Sequence, residues 1–270
     1  GLRHDSAGML SMANDGPDTN GSQFFFTLRE VNRLNYLHSV FGKVVRGIEL
    51  LPLIKPDDMM SEVNILRVGA AAKAFRADQA TFSSLVASTK KFSGPATPGP
   101  AAHFDDPDKI LPTEPPRALA FQRKLANFER ATGRKIYARI LARFEPATPK
   151  QSPGRFAESI ARKIGLGADS ALAIYFAESD QWAFWIGDDY LPQFTGAGRD
   201  ALSELMRSGG LHHVKETFLA DAKAKSDLAI ADYIRTAEPD KPITQAQRIK
   251  LQVDAVLDAL IFKFEPPSQP

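Results

Sequence analysis

Gly8 to Phe26, GMLSMANDGPDTNGSQFFF, is the stretch whose residue types and spacing could do chemistry. A short apolar run enters a loop dense in Asn, Asp, Gly and Pro and leaves on three consecutive phenylalanines, which predicts strand, tight loop, strand. Gly16-Pro17 and Asn20-Gly21 are its sharpest turns. In the second strand, expected over 23–28, the period of two sets Phe24 and Phe26 on one face and Gln23 with Phe25 on the other. An amide beside a large ring makes that face half apolar and half hydrogen-bonding, as a binding groove would be. Burial in a core is the alternative for any single phenylalanine. Elsewhere Asp105, Asp106 and Asp108 form an acidic cluster, but without EF-hand spacing they read as a solvated linker. His212 and His213 are adjacent, and neighbouring helical side chains diverge by about 100°, so the pair is a poor chelate. Trp182 and Trp185 read as sheet packing.

The elements that must position the groove continue beyond it: Leu34, His38, then the strand Val40-Phe41-Gly42-Lys43-Val44, a short helix from Gly47 to Ile54, and a closing strand from Val63 to Gly69. Together with the opening loop, these motifs closely resemble the C-terminal half of a cyclophilin, a peptidyl-prolyl cis-trans isomerase, over residues 2–69. The resemblance implies about half of an eight-stranded barrel and a groove for proline-containing polypeptides. In it Phe25 corresponds to the floor of the proline pocket, Asn14 to the position that bonds substrate backbone, Gln23 to a polar groove residue, Ala13 to a wall, and Leu34 and His38 to the rim. None of these is asked to act as acid, base or nucleophile, and no cofactor is implied. The reaction needs neither, because X-Pro rotation is slowed by amide resonance, a barrier near ~20 kcal/mol. The sequence departs from the family's pattern at Arg33, Asp15 and Tyr36-Leu37. The family's other half carries a Phe-His-Arg strand whose arginine eases the amide twist, and no residue here can be assigned that catalytic role. We therefore expect the chain to be a piece of a longer isomerase, itself weakly active or inactive.

The totals restrict the remaining classes. The 270 residues suit two domains. With 34 basic and 32 acidic residues and no basic run, nothing points to nucleic acid. Zero cysteines exclude disulfides, thiol nucleophiles and thiolate metal sites. No stretch approaches the roughly 20 apolar residues of a membrane helix, and no signal peptide is visible. The first residue is Gly1 rather than Met, so a preceding segment is expected. Periplasm or envelope and cytoplasm are both compatible, and the bacterial envelope is one such setting.

After residue 69, an Ala- and Lys-rich helix is expected over 70–92, then a Pro-rich extended linker over 93–116. The second domain is expected over 117–237. Ala118, Phe121, Leu125 and Phe128 fall at helical steps before Gly133, Lys135 to Leu141 reads as a strand, and Ser152-Pro153 opens a second helix. Ala171 to Ala177 is continuously apolar, as a strand covered on both faces would be, and Trp182 to Ile186 pairs with it. Helices are expected from Ala201 to Met206 and from His213 to Ile234. The order predicts an α/β sandwich. Phe128-Glu129-Arg130-Ala131-Thr132-Gly133 and Gly165-Leu166-Gly167, each ahead of a strand, resemble the TPM domain family over roughly 117–207. That likeness raises phosphatase action or calcium binding as a third reading, with Asp169, Asp188 and Asp189 as candidate metal residues. Exposed loop carboxylates are the plainer account of them. A C-terminal helix over 243–264 carries the stripe Ile249, Val253, Val256, Leu260, Phe264, for docking on the second domain or for self-association, and Pro266-Pro267 ends it.

The fold class is thus two-domain and mixed: a partial cyclophilin-like barrel, an α/β sandwich and a terminal helix. The competing function class is a non-catalytic binding or assembly module that recognises proline segments.

Overall fold

The computed structural model describes residues 2–16, 19–88, 95–236 and 242–266. Pro17 of the predicted turn, the junction at Phe92 and Ser93, the boundary at Ala237, and Pro267 lie outside the described residues.

The alternating run after Gly8 forms β1 (Met9–Met12), flanked by β2 (Phe24–Phe26) and β3 (Val40–Lys43) in an antiparallel sheet of order β2-β1-β3. Gly8 is required at the entry: its φ is +80°, and a Cβ there would approach Ile48 Cδ1 to 2.9 Å. Register places Ser11 opposite Phe25, and β1 buries Met9 and Ser11 while Leu10 and Met12 stay half-buried. Thr27 ties the hairpin to the chain before it, accepting from Met9 N at 2.9 Å and donating to Ser6 O at 2.7 Å. The helix expected from Gly47 is a 3-10 turn over Ile48–Leu53.

The strand expected over Val63–Gly69 does not form. Ile65, Leu66 and Val68 are 81–86% exposed, and among the described residues no strand lies beside them. A period of two specifies which face a strand would bury, but the strand itself needs a neighbour's hydrogen-bonding edge. The single connecting helix is likewise two short ones, α1 (Ala70–Ala74) and α2 (Gln79–Ser88), neither of which buries a residue. Asp78 restarts the helix by accepting from Thr81 N at 2.9 Å.

The Pro-rich segment is not simply a linker. Phe104 is fully buried, and β4 (Phe104–Asp105) is the edge strand of the second sheet. Arg139 fastens this stretch from below, donating to the carbonyls of Pro100 (2.9 Å), Ala102 (3.0 Å) and His103 (3.2 Å). The acidic cluster is used for local structure: Asp106 accepts from Ile110 N and Leu111 N at 2.9 and 3.0 Å, and Asp108 from Ala142 N at 2.8 Å.

Next come α3 (Arg117–Thr132), β5 (Lys135–Leu141), α4 (Pro153–Lys163), β6 (Ser170–Phe176) and β7 (Gln181–Ile186). The sheet order is β4-β5-β6-β7, parallel except for the final antiparallel pair. Gly133 ends α3 at φ +73°, and the Ser152 hydroxyl caps α4 by accepting from Arg155 N at 3.3 Å. All seven residues of β6 are buried because both faces are covered. Ala171, Ala173 and Tyr175 face a core shared with α3, while Leu172, Ile174 and Phe176 pack on Ala157 and Ala161 of α4.

The chain ends through α5 (Leu191–Thr195), α6 (Arg199–Arg207), α7 (Gly210–Thr236) and α8 (Gln245–Phe264), the last capped by Thr244. The α8 stripe Ile249, Val253, Val256, Leu260 and Phe264 is buried in the core of the second module. That face is therefore occupied within the chain and is not free for the self-association considered from sequence. Among the described residues no helix is long and apolar enough to cross a membrane.

Candidate functional site

Of the residues expected to line a groove, His38 packs on Phe25, and Asn14 Nδ2 lies 3.3 Å from His38 Nδ1. Pairing of β2 with β1 holds the half-buried Phe25 ring between two imidazoles. His38 meets it edge-on, with centroids 5.7 Å apart and planes at 86°, and His4 lies parallel to it at 5.9 Å. Ala13 N donates to Gln23 O at 3.0 Å, carrying the ladder one step past the strand, and leaves the Gln23 side chain exposed.

Asn14 organises the loop. Its Oδ1 accepts from Gly16 N at 3.1 Å, and its Nδ2 donates to Leu37 O at 3.1 Å. The side chain is thus committed to the protein, whereas its backbone N–H and C=O make no hydrogen bond among the described residues. Leu34 closes a 3-10 turn whose carbonyl accepts from Leu37 N and His38 N at 3.1 and 3.0 Å. His38 Nδ1 lies 3.1 Å from the acceptor Met12 O and 3.3 Å from the donor Asn14 Nδ2, which ties the ring to the start of the loop.

His4 was not selected by sequence reasoning. It is buried, with Nδ1 at 3.0 Å from Asn35 Oδ1 and Nε2 at 2.9 Å from Ser11 Oγ. Both bonds suit a neutral ring, donating to the amide and accepting from the hydroxyl. Burial holds its pKa below the ordinary 6.5, opposed by the Asn35 hydrogen bond. No periodicity marks His4, because its partners come from a later strand and turn.

The turn that carries Leu34 and His38, expected as the rim, is fastened to α3 and to the end of α8 at one of the departures noted in the sequence. Tyr36 sits at φ +65° and places its ring edge-on against Phe128 of α3, centroids 5.3 Å apart. Its hydroxyl donates to Glu265 at 2.6 Å, and its carbonyl accepts from Asn127 Nδ2 at 2.7 Å. Lys124, fully buried, donates to Arg33 O at 3.2 Å and pairs with Asp258 of α8. Arg3 pairs with Glu265 as well, and Arg123 of α3 packs over Gly16. The Arg33 side chain itself is exposed.

Residues 1–70 match the family model for cyclophilin type peptidyl-prolyl cis-trans isomerases. The chain is 45% identical over 73 residues to peptidyl-prolyl cis-trans isomerase CYP18-1 of Arabidopsis thaliana, spanning 25% of this chain and 46% of that protein. It is 56% identical over 54 residues to peptidyl-prolyl cis-trans isomerase-like 3 of Dictyostelium discoideum, spanning 20% and 34% respectively. A third relative, peptidyl-prolyl cis-trans isomerase-like 2 of Cryptococcus neoformans, is 60% identical over 53 residues, spanning 20% of this chain and 9% of the relative. The chain thus spans less than half the length of these relatives.

The carboxylates of the second module do not converge. Asp169 pairs with Lys135 at 2.9 Å, and this ion pair holds its pKa below the usual carboxylate value. Asp188 and Asp189 are exposed on the turn after β7. Among the described residues no three His, Asp or Glu side chains are grouped to hold a metal ion. His212 instead lies 3.2 Å from Glu216, one turn along α7. Trp182 and Trp185 pack on opposite sides of β7, as the period of two requires.

Proposed function

We propose that the cyclophilin-type segment supplies one wall of a proline-binding groove, and that the activity it serves is peptidyl-prolyl cis-trans isomerisation in protein folding. The convergence of Phe25, His38 and Asn14 carries this reading. A proline ring is gripped by apolar surface, which the half-buried Phe25 ring beside His38 supplies. The residue beside the proline must be anchored while the amide turns, and the unspent backbone N–H and C=O of Asn14 suit that role. Gln23 adds an exposed amide at the groove's edge. No proton is moved, so no acid or base is required of this set; catalysis rests on favouring the twisted amide over the planar one.

Residues 1–70 correspond, in this reading, to the C-terminal half of a cyclophilin barrel. No residue of this chain takes the part of the family's arginine, so binding of X-Pro segments exceeds turnover. The exposed apolar side chains of Ile65, Leu66 and Val68 support the half-barrel assignment, because a barrel would cover them. For the second module we propose a TPM-like α/β domain that serves as an accessory. Three parallel strands, an antiparallel fourth, and helices on both faces are compatible with that assignment.

The same apolar exposure favours the second reading, a non-catalytic module that binds proline segments and assembles with a partner. An isomer-exchange assay separates the two. Acceleration of an Ala-Pro peptide by the 270-residue chain, lost in Phe25→Ala, supports catalysis within the chain. Binding without acceleration supports recognition alone, and no binding removes the groove assignment.

A further inference from the structure

A well-formed cavity lies far from the groove in sequence, between β7, the start of α4 and the inner face of α7, and has a volume of about 760 Å³. That is the size of a site for a small organic ligand. Its walls are mainly apolar, with Trp182 and Phe184 stacked at 6.0 Å on one side and Leu219 on the other. Lys215 enters this surface from α7 and donates to Phe184 O at 2.9 Å. The ammonium has three donors, so two remain.

What distinguishes Lys215 is its missing counter-ion. Among the described residues no carboxylate lies within ion-pair distance of it. The charged groups around the cavity are engaged elsewhere: Glu216 with His212 at 3.2 Å, Lys223 with Asp227 at 3.8 Å, and Asp180 with the Tyr175 hydroxyl at 2.9 Å. Burial alone lowers the Lys215 pKa, with no acidic neighbour opposing it. A cation held against apolar walls without a partner favours an anion that brings its own apolar body.

We propose that this cavity binds an amphipathic monocarboxylate, a medium-chain fatty acid or a molecule of that class, with its carboxylate on Lys215 and its chain along Trp182, Phe184 and Leu219. The carboxylate would take the two free ammonium donors in a charge-assisted contact. The chain would cover the half-buried Trp182, beside the already buried Phe184. This site makes no use of the proline groove, so it stands whether or not the isomerase reading does.

The test titrates dodecanoate and dodecanol, each below its aggregation limit, into the 270-residue chain, read by tryptophan fluorescence and calorimetry. Dodecanoate should bind saturably at one site and at least about tenfold tighter than dodecanol, a difference of one charge-assisted contact. Lys215→Met should bring dodecanoate down to the dodecanol affinity while leaving dodecanol unchanged, and Lys215→Arg should retain most of the preference. Equal affinities for the two ligands in the unsubstituted protein would overturn the proposal, whatever the variants do. So would the absence of saturable dodecanoate binding, or a folded Lys215→Met chain that binds dodecanoate as tightly as before.

Discussion

Replacing Tyr36 by glycine tests whether the second module holds the rim of the groove. Two effects oppose each other. Tyrosine at φ +65° is strained by roughly 1–2 kcal/mol, which glycine relieves. Against that, the variant loses the edge contact with Phe128, about 1 kcal/mol. It also loses a half-buried ring, roughly 1–1.5 kcal/mol, and the bond from the hydroxyl to the Glu265 carboxylate, about 1.5 kcal/mol at the lower end because Arg3 still neutralises Glu265. Glycine further loosens the unfolded chain by about 0.5 kcal/mol. The net expectation is a loss of about 2–3.5 kcal/mol, a fall in Tm of roughly 4–14 °C for a chain of this size. Thermal melts of the unsubstituted chain, Tyr36→Gly and Tyr36→Phe give the comparison, with Tyr36→Phe losing only the hydroxyl's share, about 1.5 kcal/mol. Amide resonances of Leu34 to His38 should shift in the glycine variant. A glycine variant as stable as the parent, with those resonances unmoved, would refute the claim that Tyr36 couples groove to scaffold.

Stability should also fall as pH drops below about 6.5. His4 and His103 both have pKa values held beneath the ordinary 6.5 by burial, so in that window the unfolded chain binds more protons than the folded one. Their contribution is complete above 6.5 and lost on acidification through the depressed values; melts at pH 7.5 and 5.5 should differ, and His4→Gln should narrow the gap. Arg139→Leu should cost about 3 kcal/mol or more, read by urea denaturation, because it strips donors from the buried carbonyls of Ala138, Ala102 and His103. Phe25→Ala should weaken binding of an Ala-Pro peptide by about tenfold or more, the effect of removing a large apolar side chain, roughly 1.5–3 kcal/mol; unchanged affinity in a calorimetric titration would count against its place as the pocket floor.

Elements whose signals are local were legible in the sequence. Gly133 ends α3, Ser152 and Thr244 cap α4 and α8, and the unbroken apolar run of β6 correctly indicates a strand covered on both faces. Elements that exist only through a distant partner were not. Phe104 becomes a strand because β5 lies beside it and Arg139 holds the neighbouring carbonyls, neither of which shows in a Pro-rich stretch. Val63 to Gly69 has the strand pattern without a partner, and stays exposed. At the site, Asn14, Phe25 and His38 were reached through family likeness, and they do adjoin. His4 and Tyr36 were missed as participants because their partners are remote, Asn35 for the first and Glu265 for the second.

The central claim, that the cyclophilin-type segment binds proline peptides at this groove, is tested most directly by exchange spectroscopy of an Ala-Pro peptide with the labelled 270-residue chain. Peptide should shift the amides of Ala13, Asn14, Gln23 and Phe25 and the ring of His38, while cis-trans exchange stays near its uncatalysed rate, tens of seconds or slower. Saturating peptide that leaves those resonances unmoved would contradict the account.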